Sequence, residues 1–547
     1  MNITFIGIGY EQLGISQLSA ILKKQGHKVS LAYTASIFHD RYNIEMPGLS
    51  KYFNDDSYVL QQIKEQQPEL IAFSALTSTY QWMLSIARKA KEMNPHVKTV
   101  FGGVHPSAVP ALVLARPEVD YIVVGEGDLA FPAIARAIET KNFSSPIDNT
   151  RYKDPTGKVI SGIQKGFNQD LDLLPFYDKR IWEDHVRIQD MYLTMASRGC
   201  PYRCTFCFNN FFAKLPEEKS GKYVRLRSVE HMIAELKHAK KRYDIRWVDF
   251  EDDVFTTNKK WLESFLPLYK KEINRPFKLL THPKYMDDDI AHWLKEAGAE
   301  WIQMGVQSMD ESFKKDSLLR FERSDDIASS LESMIKHGLH VKVDHMFGLP
   351  NEPITAQKLA LDLYQTHTPA RIQTFWTCYL PGTEMMQKAV DEKKLTEEQT
   401  RRINEGEEFY FFRNTDNVKD PELMELYKIY EVIFRILPAI PAKLRKKATV
   451  KFIAKMPSFV FRPFSVIADI IIGITSGNPD FAWYAKHNLF QILNFTLRKI
   501  GFKGLKASRI VNDVDNVEEE MLVLKQAIKS ESNKQVQMPE PVRSNAV

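Results

Sequence analysis

The chain has 547 residues, 44% of them hydrophobic and 26% charged, with a formal net charge of +5. That length exceeds one ordinary domain, and the composition is that of a soluble globular protein of two to four domains. So small a net charge leaves no nucleic-acid footprint, and four cysteines are too few for a disulfide scaffold, although three fall within eight positions.

The opening Met1-Asn-Ile-Thr-Phe-Ile-Gly has no basic region and no small-residue cleavage site, so it reads as a first β-strand rather than a signal peptide. Strands are predicted at 3–9, 29–33, 70–76, 99–103 and 121–125, with helices such as 15–25 and 82–93 between them. This alternation predicts an α/β domain over 1–145, a doubly wound, Rossmann-like parallel sheet that binds ligands at its strand C-termini. Gly7-Ile-Gly9 invites a dinucleotide reading, but the third glycine of that motif would fall at Gln12 and no acidic residue ends the second strand.

A linker rich in Asp, Pro, Gly and Ser is expected over 146–185. The alternation then resumes over 186–395, with strands at 192–195, 247–250, 277–280, 301–306, 341–347 and 372–379. Six βα units predict a partial (β/α)6 barrel whose chemistry sits on the loops after the strands. From 396 to 515 the pattern is helical, broken by Pro438, Pro441, Pro457 and Pro463, and is expected to cap the barrel mouth. Residues 516–547 are polar and expected to be disordered.

The clustered cysteines stand in Ser197-Arg-Gly-Cys200-Pro-Tyr-Arg-Cys204-Thr-Phe-Cys207, directly after the first barrel strand. Spacings of four and three let three thiolates wrap one corner of a cubane cluster, one iron each, leaving the fourth iron open. A structural zinc would need a second Cys or His pair at finger spacing, which the sequence lacks. Cys378, inside the sixth strand, reads as a packing residue.

On these residues, Phe206 included, the segment resembles the CxxxCxxC signature of the radical S-adenosylmethionine enzymes. The resemblance implies that Cys200, Cys204 and Cys207 hold a [4Fe-4S] cluster whose open iron takes the amino and carboxylate groups of S-adenosylmethionine. One electron, from a donor such as a flavodoxin or ferredoxin, then cleaves the sulfonium to methionine and a 5′-deoxyadenosyl radical. Glu251 and Asp252, in Phe250-Glu-Asp-Asp253 after the second strand, are candidates for the methionine ammonium, with a simple capping turn as the alternative. Phe206 in the cysteine loop, Gln307 and Ser308 after the fourth strand, and Gly348 after the fifth complete the implied S-adenosylmethionine contacts; many family members carry Glu where Gln307 stands. No side chain is assigned as a catalytic acid or base.

The strand ends of the first domain carry Gly14, Ser74, Leu76, Gly102, Gly103, His105, Gly125 and Glu126. In this order, before the cysteine loop, they resemble the cobalamin-binding domain that precedes some radical S-adenosylmethionine barrels. Aligned on Gly14, the family's cobalt-binding histidine position holds Glu11, so the lower face of the cobalt is expected to lack that ligand. The alternative is a flavodoxin-like domain used only for docking.

The resemblance implies a cobalamin-dependent radical enzyme that methylates an unactivated carbon of a small-molecule or lipid-like substrate. The alternatives are an anaerobic oxidative cyclase or rearrangement enzyme and, from another class, a cobalamin-binding sensor with a structural metal centre. With no signal peptide and no apolar stretch long enough to span a bilayer, a cytoplasmic protein is expected, and the basic residues interleaved with aromatics from Lys443 to Phe464 suggest peripheral membrane contact.

Overall fold

A computed structural model describes every residue except 38, 41–43, 46, 144, 155, 217–220, 408–419, 447–457 and 514–547. The expected disordered tail and the middle of the basic and aromatic stretch thus lie outside the described residues.

Five parallel strands, Asn2–Ile8, Lys28–Thr34, Leu70–Ser74, Lys98–Gly102 and Tyr121–Val123, form the first sheet in the order second, first, third, fourth, fifth. Alternate residues feed two cores: Ile3 and Phe5 join one, Ile6, Ile71 and Phe73 the other. Both faces are covered by helices, which is why these strands read as almost continuous apolar runs. Helix Thr77–Met93 buries Tyr80, Met83, Leu84, Ala87 and Ala90, the stripe expected of a helix lying on a sheet.

The segment expected as a linker carries regular structure of its own. Thr150–Lys153 and Val159–Ser161 form a hairpin that extends the first sheet antiparallel to Tyr121–Val123. The strands are too short for their alternation to stand out from the polar residues around them. The turn Lys179–Trp182 then wedges between the domains. Trp182 is fully buried and its Nε1 donates to Ser16 Oγ at 2.9 Å. Lys179 Nζ pairs with the buried carboxylate of Glu11, and donates to Leu193 O at 2.6 Å while lying 4.5 Å from the Tyr192 ring centre.

The second sheet has six parallel strands in chain order: Tyr192–Thr194, Val248–Phe250, Phe277–Thr281, Ala299–Gln307, His340–Phe347 and Arg371–Trp376. It curls far enough for Lys278 of the third strand and Lys342 of the fifth to meet one carboxylate, Asp480, at 2.6 and 3.3 Å. Asp480 comes from helix Pro479–Lys499, and Asp469 of helix Ser458–Thr475 pairs with Arg371 at the start of the sixth strand. The C-terminal helices therefore close the flank and the N-terminal side of the barrel, where the sequence reading had them over its mouth. The reason is electrostatic: cations in the lumen require partners, and these helices bring the carboxylates.

Glu11 and Lys179 are each almost fully buried, so removing one strands the other. Lys179→Met is expected to lower stability by about 3 kcal/mol in urea unfolding, and Glu11→Gln added to it should recover much of the loss.

Candidate cluster and cofactor site

The loop that carries the three cysteines is built as a rigid turn. Gly199 sits at φ +87°, and a Cβ there would strike the carbonyl of Tyr223, so only glycine lets the loop pass. Thr205 N–H donates to Leu318 O at 3.2 Å and its hydroxyl to Ser317 O at 2.8 Å, which pins the loop to the C-terminal end of helix Glu311–Leu318 after the fourth strand. Tyr202 stacks on His282 with ring centres 3.9 Å apart. Phe206 packs with Phe313, Leu318, Leu349 and Met385, so its part is to anchor the loop.

All four cysteines are free thiols. Burial pushes Cys200 and Cys207 up to about 12, with a smaller contribution from the neighbouring loop thiols. The N–H of Tyr202 points at the Cys200 sulfur and that of Asn209 at Cys207. Among the described residues no three Cys, His, Asp or Glu side chains converge closely enough for a single metal ion. Neighbouring sulfurs that feel one another without converging fit a cluster, in which each thiolate takes its own iron and the iron offsets the cost of the buried charge. Cys378, expected inside the sixth strand, lies two residues past its end and is half-buried, its thiol also raised to about 12 by burial.

The expected S-adenosylmethionine contacts divide into two groups. Glu251 keeps a carboxylate 41% exposed, 3.9 Å from Lys278, and Gln307 sits at φ +66° on a register shift of the fourth strand, its amide lying over Gly305. Gly348 turns the chain at φ +69° after the fifth strand. Asp252 and Ser308, by contrast, are fully buried and already engaged. The Asp252 carboxylate accepts from Ala196 N at 3.0 Å and from the Ser197 hydroxyl, and burial raises its pKa to about 6. It braces the first strand's end and has no room for a ligand. Ser308 bonds the carboxyl of Glu352, which burial raises to about 8 and which also accepts from Gln357 Nε2 at 2.9 Å.

Two residues outside the predicted set face the cysteines. Asp253 accepts from Asn209 Nδ2 at 3.1 Å, and that amide also reaches the Cys207 sulfur at 3.8 Å. Arg320, buried, donates to Gly305 O and Glu322 Oε1 at 2.8 Å each and brings its charge to Cys204. The acidic triplet could have signalled Asp253; nothing local marked Arg320.

In the first domain Gly103 adopts φ +96°, and a Cβ there would come within 3.0 Å of the Ala75 backbone, so glycine lets the third and fourth strand ends close together. Gly14 has open space beside it, and Leu76 and Leu129 are 49% and 71% exposed at the strand ends, an uncovered apolar surface that fits the body of a corrin ring. Ser74 and Gly102 pair across the ladder. His105 is buried, takes a hydrogen bond with Thr77 Oγ1 at 3.2 Å, and burial holds it near pKa 4, hence neutral. Glu126, next to Gly125, binds Arg225 through both oxygens at 2.7 and 2.9 Å, and Asp128 binds Arg198 at 2.5 Å. Glu126 thus serves the junction with the cysteine loop, since its carboxylate is committed to arginines. Glu11 is committed to Lys179 in the same way.

Cys204→Ala is expected to lose the cluster, read as iron content after anaerobic reconstitution; full iron retention would refute the assignment. Because Glu352 is raised in the folded protein, the stability it contributes is complete below its unfolded pKa and is lost as pH rises toward about 8. Wild type is therefore expected to lose up to about 1 kcal/mol per pH unit between pH 5 and 8 relative to Glu352→Gln in urea titrations.

Residues 6–135 match the family model of the B12 binding domain, and residues 195–363 that of the Radical SAM superfamily. An uncharacterized methyltransferase of Pyrococcus horikoshii is 27% identical over 69% of this chain and 81% of its own length. The anaerobic magnesium-protoporphyrin IX monomethyl ester cyclase of Rubrivivax gelatinosus is 22% identical over 67% of this chain and 64% of its own. The fold is similar to that of the cobalamin-dependent S-adenosylmethionine radical enzyme OxsB, with a TM-score of 0.60 and 16% identity over 98% of this chain and 82% of that one. The two family matches assign S-adenosylmethionine and an iron–sulfur cluster to the barrel and cobalamin to the domain before it. The chain belongs to the radical S-adenosylmethionine enzymes whose barrel follows a B12-binding domain.

Proposed function

We propose that this protein transfers a methyl group to an unactivated carbon of a small-molecule or lipid-like substrate held between its two α/β domains. The observation that carries the reading is the clamp from Arg198, two residues before Cys200, to Asp128 and Glu126. It sets the cysteine loop against the strand-end face of the B12-binding domain. When bound, the cluster with S-adenosylmethionine supplies a carbon-centred radical, and cobalamin supplies the methyl group.

The chain's own residues hold and orient. Cys200, Cys204 and Cys207 hold the cluster. Arg320, held by Gly305 and Glu322 beside Cys204, would supply positive charge near the carboxylate of a bound S-adenosylmethionine, and the exposed carboxylate of Glu251 would be available to its ammonium. Leu76 and Leu129 would lie against the apolar body of the corrin, and Glu11, held by Lys179, would not be free to act as a donor to it. An electron donor of the flavodoxin or ferredoxin kind, in the cytoplasm, completes the scheme. Among the described residues no helix is long and apolar enough to cross a membrane.

The name of the Pyrococcus horikoshii relative supports methyl transfer, and that of the Rubrivivax gelatinosus relative supports oxidative cyclisation as the second reading. Product analysis separates them. With substrate and a strong reductant, methylation is expected to release S-adenosylhomocysteine and 5′-deoxyadenosine in equal amounts, because one S-adenosylmethionine restores the methyl donor and another makes the radical. Deoxyadenosine without S-adenosylhomocysteine would establish cyclisation or rearrangement instead.

A further inference from the structure

Helix Pro479–Lys499 buries one face and leaves the other bare. Its inner side chains are Trp483, His487, Gln491, Asn494 and Phe495. Trp483 and His487 lie 5.4 and 5.6 Å from the Tyr10 ring, Gln491 Nε2 donates to His185 O at 2.6 Å, and Arg498 pairs with Asp55. The outer side carries Lys486, Leu489 and Leu493, and Ile500 follows on the same line at the helix end. Spacings of three, four and seven residues make one stripe on a helix. Leu489 is 68% and Ile500 63% exposed.

Beyond the helix the chain runs through Gly501-Phe502-Lys503-Gly504-Leu505-Lys506, and Phe502 (65%) and Leu505 (49%) are exposed as well. This turn is firmly tied. The Asn494 amide brackets Leu505, donating Nδ2 to its carbonyl at 3.1 Å and accepting its N–H at 2.7 Å. The buried Ser508 hydroxyl donates to Val186 O at 2.5 Å. Hydrogen bonds thus hold a contiguous set of large apolar side chains in water, the mark of a surface meant to be covered.

Charge identifies the cover. From 481 to 512 the sequence contains no Asp or Glu, while Lys486, Lys499, Lys503 and Lys506 all stand exposed around the apolar stripe. Lys506 reaches Asp184 at 3.7 Å across the surface. The geometry points to a docking face for an anionic lipid bilayer. Leu489, Leu493, Ile500, Phe502 and Leu505 enter the boundary between headgroups and acyl chains, and the four lysines meet the lipid phosphates. The helix lies along the bilayer without crossing it, since its inner face is already packed on the N-terminal domain. A protein partner would be matched by the apolar stripe alone; the four lysines, on a segment without Asp or Glu of its own, are what select an anionic surface. This docking is independent of the methyl-transfer reading.

The test is co-sedimentation of the full-length protein with vesicles of phosphatidylcholine alone or of phosphatidylcholine with phosphatidylglycerol. Pelleting is expected with the anionic vesicles and not the neutral ones, and should weaken as salt rises. Lys499→Glu with Lys503→Glu should cut partitioning by about tenfold or more. Phe502→Ser with Leu505→Ser should cut it similarly, with iron content and circular dichroism unchanged in both. Absence of pelleting with anionic vesicles, or equal pelleting with both kinds, would overturn the proposal. So would a dimer in light scattering that the Phe502 and Leu505 substitutions dissolve without any vesicle binding.

Discussion

A single buried ammonium group sets the relation between the two halves of this protein. Lys179 is bound at once to Glu11, which follows the first strand of one sheet, and to the carbonyl of Leu193, within the first strand of the other. A charge taken out of water is tolerable only with its partners in place. Because the partners belong to different domains, the domains cannot separate without stranding the charge. The strand ends of both sheets are therefore kept toward a common space, and Trp182 fills the apolar gap beside the pair.

The same reasoning operates around the cysteine loop. Arg198 ties the approach to Cys200 to Asp128, Asp252 fixes the backbone at Ala196, and Arg320 joins the Cys204 side to Gly305 and Glu322. His282, 3.4 Å from Glu322, stacks in turn on Tyr202 within the loop itself. Each buried charge thus serves as a brace, and together they hold three thiols at positions where burial alone would disfavour the thiolate form. A loop braced in this way is organised before any cofactor arrives.

All eleven principal parallel strands were legible in the sequence, to within about three residues at most ends. Parallel strands buried on both faces write themselves as apolar runs, and their helices as stripes. The hairpin at Thr150–Lys153 and Val159–Ser161 escaped because two short polar strands carry little periodicity. Of the expected ligand contacts, Glu251 and Gly14 stand open, whereas Asp252, Ser308 and Glu126 are spent on protein partners. Arg320 was invisible for the converse reason: its neighbours Cys204 and Gly305 lie far from it in sequence.

By itself the sequence determined what depends on local spacing: the two runs of strands and helices, the cysteine triplet that opens the barrel, and the missing histidine at Glu11. Tertiary structure alone decided which side chains remain available for chemistry. A carboxylate is a ligand or a brace according to what packs against it, as Glu126 and Arg225 illustrate across 99 positions of chain. Such partners are chosen by the fold because an unpaired charge in the interior costs more than any local preference can offset.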